Sequence, residues 1–186
     1  MEIYMKTYTG LRVDPINPTK DMICLEDIAH ALSLNCRGNG QVPHFYSVAQ
    51  HCINCEKEAE ERMCSDRVKL GCLLHDAAEA YITDFIRPVK QLMPEYIRIE
   101  KRLLEVIFEK FGLSDVSDAE WKIIKSIDDD LLVYDMTHLL GEPKPKDGYG
   151  WKRKPETDFV LPQNIEKEYI DIAQRLVQHS ANNGTK

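Results

Sequence analysis

The chain has 186 residues, 43% hydrophobic and 30% charged, which is enough apolar material for one ordinary domain with a real core. Its 24 Lys and Arg against 31 Asp and Glu leave a net charge of −7, a field that repels polyanions; this argues against a nucleic-acid polymer as partner, and any phosphate handled here needs a local cation. No stretch reaches the roughly 18–20 apolar residues of a membrane span, and the start, MEIYMKTYTG, lacks the apolar core of a signal peptide, so a cytoplasmic protein free of membrane is expected.

Residues 1–24 carry turn chemistry (Thr9-Gly10, Asp14-Pro15, Asn17-Pro18), which predicts an irregular arm with at most a small hairpin. A helix over 25–34 follows, with Ile28, Ala31, Leu32 and Leu34 at helical spacing, and it stops at Asn35-Cys36-Arg37-Gly38-Asn39-Gly40. The next helix is expected over 44–63, with Phe45, Val48, Ala49, Cys52 and Ile53 buried and Glu56 to Arg62 as a solvated end. Ser65 and Asp66 cap a third over 68–81, apolar through Leu70, Cys72, Leu73, Leu74, Ala77 and Ala78, as befits the centre of a domain. An amphipathic helix over 94–111 buries Tyr96, Ile99, Leu103, Ile107 and Phe108 and ends at Gly112. The capping box Ser117-Asp118-Ala119-Glu120 opens a helix that continues to residue 140. Residues 141–158 read as the longest loop, and 164–179 as a last helix. About six helices without alternating strands predict an all-α, single-domain bundle spanning 1–186, with its core within about 25–140.

Six cysteines in a chain too long to need staples read as free thiols of a reducing compartment. Cys52 and Cys55 have C-x-x-C spacing, but no second pair completes four zinc ligands, and two small, half-buried helix residues are expected.

The informative residues are charges and imidazoles where the pattern asks for core. His75 and Asp76 are adjacent near the end of the most apolar helix, where an unpaired charge costs several kcal/mol. A bound divalent cation removes the difficulty. An antiparallel pairing of helices would bring His51 to His75, and Asp128 lies on a helix whose flanking residues are core. Two imidazoles and two carboxylates from three helices make a mixed N/O site for an ion such as Mn, Fe, Co, Ni or Zn, with positions left for water. Among the consecutive Asp128, Asp129 and Asp130, the choice falls on Asp128, because the others are rotated by roughly 100° and roughly 200° on a helix.

The pattern His51, His75-Asp76, Asp128 resembles the HD-domain superfamily of metal-dependent phosphohydrolases, which are all-α. The stretches FYSVAQH (45–51), LLHDAAEAY (73–81), Asp84 and PVK (88–90) are similar to its small single-domain members, the bacterial 5′-deoxynucleotidases and short phage-encoded deoxynucleoside triphosphate hydrolases. The resemblance implies one divalent metal ion (Mn, Co, Fe, Ni, Zn or Mg) on His51, His75, Asp76 and Asp128. It makes Glu79 the manager of the attacking water's proton, places Arg37 against the substrate phosphate, and puts Asp84 on the substrate side of the pocket. Glu79 follows His75 by four residues and Asp76 by three, so all three are expected on one helix face. Lys90 could add charge at the phosphate, and His44 could reach the pocket. One departure stands out: Gly38 follows Arg37 where the deoxynucleotidases carry a tryptophan implied to reject ribose; Asp135, by contrast, matches the second acidic residue that the similar stretches place seven positions after the last ligand.

The expected function is therefore a metal-dependent hydrolase of nucleotides, deoxynucleoside 5′-monophosphates or triphosphates first, in a protein that self-associates as a dimer or larger homo-oligomer. The alternatives are hydrolysis of another phosphate ester, such as an alarmone or cyclic nucleotide, and a non-enzymatic helical module with a closed metal site.

Overall fold

A computed structural model describes residues 4–146 and 148–183. The turn chemistry of the N-terminal arm makes a small hairpin in which β1 (Met5–Lys6) pairs antiparallel with β2 (Arg12–Val13). It is pinned to the helical body by Thr9, whose backbone N–H and hydroxyl donate to the two oxygens of buried Asp27 at 2.7 and 2.9 Å. Everything else regular is helical: eight α-helical segments among the described residues give an all-α fold. None is long and apolar enough to cross a membrane.

Helix α1 (Leu25–Leu34) has the expected bounds. Residues 35–47 are tied back rather than free: the Arg37 N–H donates to the Tyr46 carbonyl (2.9 Å) and the Val48 N–H to that of Asn35 (2.9 Å), around a Cys36–Ser47 bridge. Gly38, Asn39 and Gly40 all take positive φ at the tip, which Gly and Asn tolerate best. This ladder delays helix α2 (Val48–Glu61) by four residues relative to expectation, and Ser47 is its N-cap, accepting from Gln50 N–H.

The expected solvated end of α2 is confined to Glu60 and Glu61, which are exposed. Glu56 and Glu58 are each 1% exposed, because the 150–158 loop lies across this helix and α8 (Pro162–Asn183) closes its other side. The Glu58 carboxylate accepts the backbone N–H groups of Lys152 and Arg153 at 2.8–3.0 Å and the Arg62 guanidinium at 2.8 Å. Gln50 and Asn54 donate to the carbonyls of Glu156 and Asp158, and Arg175 of α8 reaches Glu56 at 3.2 Å. The helix ends with Met63 in the left-handed region, Cys64 N–H bonding the Ala59 carbonyl, and the chain reverses.

Helix α3 (Asp66–Leu74) starts from the Ser65 cap but does not run to residue 81. It stops at the His-Asp pair and resumes as α4 (Glu79–Ile82). Between them the ladder tightens to three-residue spacing: Ala77 N–H to Leu74 O, Glu79 N–H to Asp76 O, Ala80 N–H to Ala77 O. At the break the Cys72 carbonyl, which an α-helical Asp76 N–H would use, accepts from His75 Nδ1 at 2.7 Å. After a short α5 (Arg87–Lys90) come α6 (Pro94–Lys110) and α7 (Asp118–Leu139), the latter opened by the complete capping box.

Helix α7 packs unusually close to α3, since a Cβ on Gly71 would sit 2.4 Å from Ile124 Cδ1. One turn beyond these two residues stand His75 and Asp128, so the missing side chain sets how near the imidazole and the carboxylate can come. Leu70, Leu73 and Leu74 of α3, Leu103 and Ile107 of α6 and Tyr169 of α8 fill the core around them.

Candidate metal centre

The N-terminal turn of α2, the break between α3 and α4 and the middle of α7 meet at one buried cluster. His51 Nε2 lies 3.1 Å from Asp128 Oδ1; His75 Nε2 lies 3.4 Å from that oxygen and 3.3 Å from Asp76 Oδ2. The structure thus brings together the four residues expected as ligands. Their neighbours point elsewhere: Asp129 meets Arg87 (2.9 Å) and Lys125 (3.2 Å), and Asp130 meets Arg62 (2.7 Å) and the Gly150 N–H. The other oxygen of Asp128 is held by Lys125.

The proton inventory of this cluster does not close within the chain. With its Nδ1–H committed to Cys72, a neutral His75 presents a bare Nε2 lone pair to two carboxylates, and that buried atom has no hydrogen-bond partner. Lone pairs facing lone pairs in a dry site call for a cation. In the metal-free chain a proton can serve: burial opposes it, but Asp76 and Asp128 hold the His75 pKa well above its ordinary value. Burial likewise opposes ionisation of the carboxylates, yet the charge of His75 keeps Asp76 and Asp128 below the usual range. A divalent ion replaces that proton with more charge and suits two imidazoles and two carboxylates, so the residues present fit such a group.

Around the cluster the structure assigns roles that the residue pattern did not. His51 Nδ1 is 3.0 Å from Asp135 Oδ2, and Arg37 Nε lies 3.5 Å from the same oxygen. Asp135 therefore fixes the His51 tautomer that leaves Nε2 free, the usual partner of a ligating histidine. The signal was available in the spacing, since residues 128 and 135 share a helix face two turns apart. Arg37, expected against the substrate phosphate, has a side chain only 13% exposed; its Nη1 is 3.4 Å from Asp76, and Asp135, Asp76 and Asp128 raise its pKa despite desolvation.

Glu79 is buried with one oxygen unpartnered. Burial, and then the charges of Asp76 and Asp84, push its carboxyl well above the ordinary range, and that of Asp84 is raised by burial against the pull of Arg37. The helix break corrects the reason for placing Glu79 here: it comes from α4, set by the tightened turn after Asp76, rather than from one continuous face. Lys90, expected at the phosphate, is spent on Glu100 (2.5 Å) and lies 3.6 Å from Glu79. His44 is turned away too, its Nε2 2.6 Å from the Thr157 carbonyl. Thr83, just before Asp84, has a positive φ that a β-branched residue adopts only under constraint, and Tyr96 holds it by donating to its carbonyl at 2.6 Å. Cys52 and Cys55 are free and fully buried, and burial raises both thiols.

A family profile described as the HD domain covers residues 33–123, which include His51, the His75-Asp76 pair and Glu79. The uncharacterized protein YfdR of Escherichia coli is 42% identical over 121 residues, 64% of this chain and 64% of the relative. An uncharacterized protein of Rhodobacter capsulatus is 36% identical over 131 residues, 67% of each chain. The chain belongs to the HD-domain superfamily. The match to YfdR covers slightly less than two thirds of that relative's length. HD domains are generally hydrolases that bind divalent metals, and the cluster at the α3–α4 break is where this chain concentrates the donors such an ion needs.

Proposed function

We propose that this HD-domain protein is a metal-dependent phosphohydrolase of nucleotides, with deoxynucleoside 5′-monophosphates and triphosphates as its first-choice substrates. The observation that carries the reading is the buried, unpartnered Nε2 of His75 facing Asp76 and Asp128, with His51 beside them and a buried carboxyl and guanidinium at hand. His51, His75, Asp76 and Asp128 would hold the ion, which supplies positive charge to a phosphate oxygen and acidity to a water.

The chain's own residues do the rest. Glu79, buried beside the cluster with a free oxygen, takes the proton of the attacking water, as a positioned carboxylate can. Arg37 reaches phosphate oxygens with Nη2, the one nitrogen left over from its contacts to Asp76 and Asp135, which carries two N–H groups. Asp135 keeps both His51 and Arg37 in place. Asp84 faces the sugar. His44 is occupied and Tyr46 is buried with its hydroxyl on Asn54, so neither replaces the missing tryptophan beside Arg37. Discrimination then rests on half-buried Phe45 and on Asp84, and a modest deoxy preference is expected.

The test is release of phosphate, pyrophosphate or triphosphate from a panel of deoxy- and ribonucleotides under Mn²⁺, Co²⁺, Mg²⁺ and Zn²⁺, for wild type and Asp76→Ala. Turnover of a nucleotide that needs the ion and disappears in Asp76→Ala supports the reading. Turnover confined to alarmones or cyclic nucleotides moves the substrate class, and none at all with the ion bound leaves a metal-binding module.

A further inference from the structure

The two cysteines of the C-x-x-C pair lack a second pair in sequence, but the fold supplies one from the histidines. Cys55 stands one turn after His51 on α2, and its Sγ lies 3.5 Å from His51 Nε2. The donor atoms of His51, Cys55 and His75 all lie within 4.8 Å of one another. A tetrahedral zinc ion, with bonds of about 2.3 Å to sulfur and about 2.0–2.1 Å to nitrogen, separates those two ligands by about 3.5 Å. The same geometry separates nitrogen from a carboxylate oxygen by about 3.3 Å; the observed values to Asp128 Oδ1 are 3.1 Å from His51 and 3.4 Å from His75. Independently of the cysteine, the His75 Nε2 that completes this set is unpartnered on a side chain only 6% exposed.

We propose that the centre has a second mode, selective for thiophilic ions such as zinc or cadmium, in which Cys55 joins His51, His75 and Asp128 to make a closed four-ligand shell. It rests on the reading of this cluster as the metal centre and adds to it a ligand that hard ions pass over: Mg²⁺ and Mn²⁺ prefer oxygen, whereas zinc and cadmium prefer sulfur. On binding, the Sγ–H proton leaves to solvent as the sulfur–metal bond forms, with no change of oxidation state. Four protein ligands leave no place for a water, so this mode is a resting or inhibited state and not a faster catalyst. Cys52 stands in a second group, with His75 and Asp76, and is the competing assignment.

Titration of the metal-free protein with Co²⁺ and Cd²⁺, read by absorption, tests it. A near-ultraviolet sulfur-to-metal charge-transfer band saturating at one ion per chain is expected, kept in Cys52→Ser and Cys72→Ser and lost in both Cys55→Ser and Cys55→Ala. Zn²⁺ affinity, by calorimetry, should fall at least about tenfold in Cys55→Ser while Mn²⁺ affinity changes less than about threefold. A band lost in Cys52→Ser and kept in Cys55→Ser overturns the assignment. Binding of Co²⁺ with ligand-field bands but no charge-transfer band overturns the second mode and leaves the hydrolytic reading standing. Failure of every ion to bind overturns both.

Discussion

Two sides of α2 bury polar groups equally deeply and treat them in opposite ways. On the side under the 150–158 loop, Glu58 accepts two backbone N–H groups and a guanidinium, while Gln50 and Asn54 are bonded to the strap at 156–158, so the groups on this side are matched within the chain. On the side of His51, three buried side-chain atoms remain without partners: His75 Nε2, Glu79 Oε2 and Asp135 Oδ1. Burial alone does not separate structure from function here, because Glu58 is as hidden as His51. Completeness of pairing does. A satisfied network holds a loop; an unsatisfied one of mixed sign is a seat for something that is not protein.

The sharpest way to break this contrast is Asp76→Ala. Hydrolysis should fall by more than about 10⁴-fold, and the rise in melting temperature on adding Mn²⁺ should vanish, because the ion stabilises only the folded state that binds it. Unchanged turnover would sink the functional reading.

Glu79→Gln should lower kcat by roughly 10²–10⁴ with the ion still bound, the usual worth of a positioned base. The same change should stabilise the metal-free protein. Glu79 has a folded pKa raised above its ordinary 4.5, so the folded state holds the proton more tightly, and wild-type stability falls as pH rises through 4.5 toward the raised value. The variant's higher melting temperature should therefore be present at pH 7 and absent at pH 4. If metal content falls as far as activity does, Glu79 is a ligand.

On the satisfied side, Glu58→Ala strands two backbone N–H groups and Arg62, and about 2–4 kcal/mol of stability should be lost in urea melts. The melting-temperature shift on Mn²⁺ should keep its wild-type size. A shift that shrinks with it would mean that the strap and the cluster are one network.

Asp135→Asn is the finest probe. The isostere keeps the shape but loses the charge that orients His51, so Mn²⁺ affinity should drop about 10- to 100-fold with little change in urea stability. Unaltered affinity would leave Asp135 as a partner of Arg37 alone.

Much of this was legible along the chain because it depends on neighbours in sequence. The bounds of α1, the Ser65 cap and the Ser117–Glu120 capping box follow from local hydrogen bonding, which the residues carry wherever they fold. His75 and Asp76 stood out because charge in an apolar helix needs a reason. What misled was the assumption that polar means solvated: Glu56 and Glu58 read as a wet helix end, and it is the strap laid across Glu58 from more than 90 residues away and Arg175 of α8 on Glu56 that make them dry. The expected 68–81 helix breaks where a side chain bonds the carbonyl its own backbone would use, which propensity does not anticipate.

The sequence by itself determined the fold class, the helical periodicity and the residue types able to hold a metal, since these rest on local propensity and on the cost of burying charge. Tertiary structure decided what those residues face. The missing side chain of Gly71 lets α7 close on α3 until Asp128 meets His75; two helical turns beyond Asp128, Asp135 reaches the far nitrogen of His51; and Lys90 and His44 are taken up by Glu100 and Thr157. A carboxylate's role depends on which cation lies within about 4 Å, and that separation is set by packing between elements distant in sequence.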